Sequence, residues 1–251
     1  MPTRVASANV LFKLAASAAE ETLTTVLATE PDLVGLQEWY VSRAGLLRRT
    51  GDVTLVPSFG VLRLPARTPR YHWVATLGAG CVVGARSDRF DLLEGRSLLL
   101  SGLGRSERVD HPFNAEPPRI AAVGIFRDRA TERTTAMISY HLVAGAQRGK
   151  SYDAGKPTLV ARHLQEVSRL GALVAELQHA GHDVYATGDS NFDGFRLAGL
   201  TSSWDGREDQ PGTIGRGKRK IDDVLGPGPA TEVVLLRTPS DHRALMTVRE
   251  T

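Results

Sequence analysis

Arg4-Val5-Ala6-Ser7-Ala8-Asn9-Val10 and Leu33-Val34-Gly35-Leu36-Gln37-Glu38 decide the fold class, together with what lies between them. Each is a short apolar run closed by polar side chains, the pattern of a buried strand reaching the edge of a sheet. Between them, residues 16–29 set Ala19, Leu23, Val26 and Leu27 on one helical face, and Pro31-Asp32 breaks the helix. Strand, helix and strand at this spacing predict an α/β protein.

Outward from this unit the pattern continues. The first strand is expected to span residues 4–12. Residues 43–70 are arginine-rich and read as irregular. Residues 72–77 and 81–85 read as strands joined by Gly78-Ala79-Gly80, and 90–100 as a further strand. Residues 120–126 and 134–142 form an expected hairpin turning through 128–132, and 101–118 and 144–157 read as loops. The strongest helix is 159–177, with Leu164, Val167, Leu170, Leu173, Val174 and Leu177 as its apolar stripe and Gly181 as its stop. Residues 184–187 read as a strand, 201–220 as a loop, and 224–225, 232–236 and 244–248 as short strands. No repeat or linker divides the chain, so residues 1–251 predict one domain.

Composition sets limits. The chain has 251 residues, 41% of them hydrophobic, and a formal charge of +3. That is enough apolar material for a sizeable core. Cys81 is the only cysteine, which excludes an intrachain disulfide and a four-cysteine zinc site. A reducing, cytoplasmic location is expected. No apolar run is long enough for a membrane span and no secretory leader is evident. A monomer is expected.

Chemistry-bearing side chains gather where strands end: Asn9, Gln37-Glu38, His141, Gly188-Asp189-Ser190-Asn191 and Ser240-Asp241-His242. Singly, each is an ordinary loop or turn residue. Brought to one sheet edge, carboxylates and an amide would suit a hard, oxygen-seeking cation such as Mg²⁺ or Mn²⁺.

In this order the set resembles the endonuclease/exonuclease/phosphatase (DNase-like) superfamily over nearly the whole chain. The matching segments are Ala8-Asn9-Val10, Gln37-Glu38, His141-Leu142, Gly188-Asp189-Ser190-Asn191, Ile221-Asp222 and Ser240-Asp241-His242. The resemblance implies a four-layer sandwich, two packed mixed β-sheets flanked by helices, with every motif in one cleft. It implies a Mg²⁺- or Mn²⁺-dependent phosphoester hydrolase. Glu38, Asn9 and Asp241 are then expected at the metal. Asp189 is expected to activate water, Asn191 to face the phosphate, His141 to face it or to serve as the leaving-group acid, and His242 to stabilise it while Asp222 orients the imidazole. Asp223 stands beside Asp222 where many relatives carry an aromatic residue. Leu11 and His141 depart from the abasic-site endonuclease pattern, and the lone cysteine departs from the secreted DNases.

Three other readings are weaker. Gly212 to Lys218 fits GxxxxGK, but Arg219 follows where a Ser or Thr is needed and no strand precedes it. Gly188-Asp189-Ser190 also matches GDS-type serine esterases, yet it sits late and Asp241-His242 lack the usual spacing. A non-catalytic binding module would be expected to have lost part of the set.

For the substrate, the sequence offers two basic segments. Residues 43–70 carry six arginines against one acid, and Arg216, Lys218, Arg219 and Lys220 follow later. Arg63, Arg67, Arg70, Arg216 and Lys218 are expected as a rim for a phosphate backbone. Nucleic acid is the expected substrate, with a lipid head group or small phosphorylated metabolite as the alternative. Tyr71, Trp73 and Trp204 either stack on bases or belong to the core, the second being the simpler expectation.

Overall fold

The computed structural model describes residues 2–56, 61–108, 114–215 and 217–250. In chain order it forms β1 (Thr3–Asn9), α1 (Ala16–Leu27), β2 (Leu33–Gln37), a 3₁₀ turn (Val41–Arg43) running into α2 (Ala44–Arg48), β3 (Gly51–Val56), β4 (Leu62–Leu64), β5 (Tyr71–Thr76), β6 (Val82–Arg86) and β7 (Phe90–Ser101). A two-stranded ladder of β8 (Gly104–Arg105) and β9 (Ala115–Glu116) leads to β10 (Arg119–Asp128) and β11 (Thr134–His141). A second small ladder, β12 (Gln147–Arg148) with β13 (Ser151–Tyr152), precedes α3 (Pro157–His179) and β14 (Asp183–Asp189). The chain closes with β15 (Thr201–Ser202), β16 (Asp222–Gly226), β17 (Ala230–Leu236) and β18 (Ala244–Arg249).

The first sheet runs β17-β18-β1-β2-β6-β5-β3-β4 and the second β15-β16-β14-β11-β10-β7. Both are mixed: β1 with β2, β3 with β5 and β11 with β14 are parallel. Period-2 alternation sorts the side chains. In β1, Ala6 and Ala8 pack with Ala19, Leu23 and Val26 of α1, whereas Val5 joins the layer between the sheets. In β11 and β14, Ala136, Ile138 and Ala186 pack with Leu170, Leu173 and Leu177 of α3, whereas Met137 and Tyr185 face the first sheet. Helix, sheet, sheet and helix thus make the expected four layers.

The sheets meet closely where β2 crosses β14. A Cβ at Gly35 would overlap the Thr187 hydroxyl. Gly35→Ala must therefore part the sheets or displace Thr187, and is expected to destabilise by about 3 kcal/mol in urea unfolding. Nearby, Gln37 bridges the sheets: its Nε2 donates to Ser139 Oγ at 3.0 Å, and Ser139 Oγ donates to Leu36 O at 2.9 Å. Gln37, read as half of a catalytic pair, is fully buried structure.

Several boundaries move. Residues 43–70 are not irregular; they hold α2, β3 and β4. β1 stops at Asn9 rather than at residue 12, because Leu11 takes a left-handed φ of 43°. The segments 101–118 and 144–157, read as loops, contain the two small ladders. Leu164 leaves the predicted stripe, being 48% exposed. The buried face of α3 instead includes Arg162, His163 and Glu166, each hydrogen-bonded through its side chain. Tyr71, Trp73 and Trp204 belong to the core, as the simpler expectation had it. Among the described residues, no helix is long and apolar enough to cross a membrane.

Candidate active site

Strand polarity brings the polar clusters together. Asn9 pairs with Gln37 across the parallel β1–β2 ladder. In the other sheet, Asp189 pairs with His141 on one side and Asp222 on the other. These positions share one end of the sandwich. Alternation turns Asp222 inward with Val224, while Asp223 points away with Leu225, toward the opposite side of the sheet. Strand geometry thus sets Asp222, and not the adjacent Asp223, against His242.

Asp189 is the hub. Its Oδ2 accepts from Asn9 Nδ2 at 3.1 Å and lies 3.7 Å from His141 Nε2 and 3.9 Å from His242 Nε2. Its Oδ1 accepts the Asn191 backbone N–H at 2.8 Å. Asn9 also donates to Glu38 Oε1 at 3.2 Å, so one amide ties two carboxylates that belong to different sheets. Both neighbours are acceptors, so the Asn9 nitrogen must face them. Its Oδ1 takes the Leu11 N–H at 3.0 Å. Asn9 therefore acts as a bridge between the two carboxylates.

Glu38 reaches this cluster by breaking the strand. Its φ of 57° turns the chain out of β2, and Gly80 makes room, since a Cβ there would lie 3.1 Å from Glu38 Cα. Glu38 Oε2 accepts the Phe12 N–H at 2.8 Å. The loop that supplies this N–H is held by Arg43, whose guanidinium donates to the carbonyls of Val10, Leu11, Phe12, Leu14 and Glu38. Arg43 is only 8% exposed. Counted by sequence among the surface arginines, it is a buried brace. Arg43→Met orphans these carbonyls and is expected to cost about 3 kcal/mol in urea unfolding, with catalytic efficiency falling in parallel.

Electrostatics divides the two histidines. Burial holds His141 well below its ordinary pKa, and Arg119, His242 and Arg108 push it further down. His141 is thus neutral and can donate a hydrogen bond, but it is a poor general acid. Burial would also lower His242. However, the 2.8 Å hydrogen bond to Asp222, the Asp222 charge, and then Asp189 and Asp241 raise it to about 9. His242 is therefore a cation at neutral pH, with Nδ1–H on Asp222 and Nε2–H toward Asp189. Burial, followed by the Asp222 charge, raises Asp189 above the usual carboxylate range, with His242 and the bonds from Asn191 and Asn9 opposing. A base with a raised pKa is a better proton acceptor near neutrality.

Asp189, Asp222 and His242 lie close enough to share one ion among the described residues. Asp222 Oδ1 is buried without a hydrogen-bond partner, an unmet acceptor that a cation could satisfy. The donor set is dominated by carboxylate oxygen and fits Mg²⁺ or Mn²⁺. A protonated His242 cannot ligate, which leaves Asp189 and Asp222 of this cluster, while Glu38 is joined to Asp189 through the Asn9 amide. Asp241 is exposed, next to His242, and does not join this trio.

The expected basic rim is largely dispersed. Arg63 sits on β4, four strand spacings from β2, about 19 Å away. Arg70 precedes Tyr71, which pairs with Arg86 at the end of β6 opposite the site, and Arg67 lies on the approach to that end. These three are corrections: a run of arginines in sequence was laid along an edge and the far end of a sheet. Arg216 lies outside the described residues. Lys218 lines a groove of about 330 Å³ with Lys150, Arg196 and Lys220, beside Asp193 and Gly194 of the Asp189 loop. The cations that do act on the site are Arg108 and Arg119, both felt by His141. Sequence reading missed them, although Arg119 starts a strand at the level where the hairpin partner ends in His141. A larger cavity, about 740 Å³, lies elsewhere around Arg4, Asp32, Arg86 and Arg89, with Arg86 and Arg89 paired to aspartates.

Ser190 cannot serve as an esterase nucleophile. It is fully buried, and its hydroxyl donates to the carbonyls of Phe192 and Ile221. Asn191 holds Leu142 O at 3.1 Å through its side-chain nitrogen, which leaves one N–H for a ligand.

No family model matches the sequence. No curated protein matches it either. Solved structures match over its full length. TDP2 of D. rerio, in complex with a single-strand DNA product, aligns at a TM-score of 0.67 and 14% identity, covering 100% of this chain and 99% of that one. An endonuclease/exonuclease/phosphatase family protein from Bacteroides thetaiotaomicron aligns at 0.64 and 18%, covering 99% and 94%. A mannosyl-6-phosphatase from the same organism aligns at 0.65 and 18%, covering 99% and 100%. With its four layers and full-length superposition, this chain has the fold of the endonuclease/exonuclease/phosphatase proteins.

Proposed function

We propose that this chain is a divalent-metal-dependent phosphoester hydrolase of the endonuclease/exonuclease/phosphatase superfamily, and that it cleaves phosphodiesters of nucleic acid. The observation that carries this reading is the Asp189 carboxylate, held within 4 Å of Asn9, His141 and His242 by strand ends of both sheets. Asp189 takes a proton from water as its oxygen attacks phosphorus in line with the departing oxygen. His242, protonated, donates from Nε2 to a phosphoryl oxygen as negative charge builds. The free N–H of Asn191 and neutral His141 donate to the same group. Glu38 would hold the metal ion, which when bound would neutralise phosphate charge. The departing oxygen takes its proton from solvent. Asn9 keeps Glu38 and Asp189 in fixed relation throughout.

Support for nucleic acid comes from the Lys150–Lys218 groove beside the Asp189 loop, and from the DNA product in the TDP2 structure. A second reading, hydrolysis of a small phosphate monoester, is favoured by the dispersal of Arg63, Arg67 and Arg70. The mannosyl-6-phosphatase relative supports it too.

A substrate panel separates them. Single-stranded DNA, RNA, plasmid, bis-p-nitrophenyl phosphate and p-nitrophenyl phosphate are incubated with Mg²⁺ or Mn²⁺, then with EDTA. Hydrolysis of diesters is expected with metal, is abolished by EDTA and returns with excess Mg²⁺. Turnover of the monoester alone selects the second reading. Turnover indifferent to EDTA removes both.

A further inference from the structure

Two exposed aromatic side chains flank Glu38. Phe12 is 54% exposed and Tyr40 37%, with Val41 beside them at 47%. Phe12 and Tyr40 touch only edge to face, with centroids 6.4 Å apart, so each keeps a ring surface toward solvent. Large apolar groups are normally withdrawn from such a position, and here the chain holds them out. Leu11 and Glu38, the residues next to Phe12 and near Tyr40, both sit at left-handed φ, of 43° and 57°. Non-glycine residues adopt that region at a cost, and such strain clusters at functional sites. Arg43 fixes the Phe12 loop through four of its carbonyls and ties it to the Glu38 carbonyl, and the Phe12 N–H is itself bonded to Glu38. The backbone that carries the Phe12 ring is therefore fixed beside Glu38.

Their surroundings carry positive charge. Lys13 Nζ lies 5.5 Å from the Phe12 ring centroid. Arg119 acts electrostatically on both Tyr40 and His141, so one cation links the aromatic pair to the phosphate-facing wall. Flat ring surface with cations beside it suits a planar base attached to a phosphate: the base stacks and the phosphate meets Arg119 and His141. We infer that Phe12 and Tyr40 form a stacking shelf that selects phosphoesters bearing a nucleoside next to the scissile phosphorus.

This inference rests on the phosphoester-hydrolase reading, and its test separates the two. In an Asp189→Asn background with Mg²⁺, fluorescence anisotropy gives the Kd of a labelled four-nucleotide single strand and of an abasic strand of equal length and charge. The base-bearing strand is expected to bind about tenfold or more tightly. Phe12→Ala with Tyr40→Ala should abolish that preference and leave the abasic Kd unchanged, while Phe12→Trp should keep it. Equal affinity for both strands, or equal weakening of both by the double substitution, overturns the inference. Adenosine 5′-phosphate as competitor distinguishes a strand from a free nucleotide as the source of the base. Absence of metal-dependent turnover by the unsubstituted protein would sink the hydrolase reading alone, because the Kd ratio is read without turnover.

Discussion

Asp189→Asn is expected to lower kcat by about 10³-fold or more on any substrate the chain hydrolyses, with a smaller change in KM. The size follows from convergence at one oxygen. Asp189 Oδ2 is within 4 Å of Asn9, His141 and His242, so the substitution removes the proton acceptor and the charge facing His242 together. In either orientation the new amide also loses a bond, because its NH2 then faces the Asn9 Nδ2 or the Asn191 N–H, both donors. Loss of fold would not explain such a result. Burial raises the Asp189 pKa, which means that its ionised form is disfavoured in the native state. Removing that charge relieves the penalty, so the melting temperature of the metal-free variant at pH 8 should not fall below that of the parent. A dead enzyme with undiminished stability is the expected pair of results. A variant that keeps a tenth of the parent's kcat would remove Asp189 from the chemistry.

The second large effect belongs to His242 and is read through pH. His242→Ala should lower kcat by about 10²–10³-fold at pH 7, the range seen when a preorganised donor to a developing oxyanion is lost. Asp222→Asn tests the cause. In the parent, Asp222 lifts His242 to about 9, so kcat/KM should hold through neutral pH and fall as pH rises through about 9. Without the Asp222 charge, burial is opposed only by Asp189 and Asp241, and the alkaline limb should move down by roughly 1–3 pH units. The same pair acts on stability with a definite sign. The folded pKa of His242 exceeds its ordinary 6.5, so its stabilisation is complete below about 6.5 and is lost as pH rises through about 9. The Tm difference between parent and Asp222→Asn should therefore be greatest in mild acid and shrink above pH 9. An alkaline limb unchanged in Asp222→Asn would show that another group carries the proton.

How much of this was legible in the sequence depends on what each feature rests on. The strands around Asn9, Gln37, His141 and Asp189 were readable because a buried strand must be apolar and its exit polar, a local constraint. The end of α3 near Gly181 was readable because its φ of 86° suits glycine. β3 and β4 were hidden: β4 is the outer edge of its sheet, and arginines on an edge strand look like loop arginines. The rim arginines failed for the same reason, since proximity in sequence says nothing about which end of a sheet a residue occupies. Arg43 was illegible because its burial depends on carbonyls freed by a left-handed turn 32 residues earlier in the chain. Arg119 could have been found, because it begins the strand whose hairpin partner ends in His141. The division of the two histidines into one neutral and one charged was beyond reach, because it depends on which carboxylate lies within 3 Å of which ring.

The Gln37–Ser139 bridge beneath the site has a consequence for inactivation. Asn9 and Glu38 ride on one sheet, while His141, Asp189 and Asp222 ride on the other, so the reacting groups straddle a seam. Slippage along that seam by a fraction of a hydrogen-bond length separates Asn9 from Asp189 while leaving each sheet's ladders whole. Catalysis is in this sense a gauge of alignment between the sheets. On heating, activity should vanish before far-ultraviolet circular dichroism registers any loss of strand.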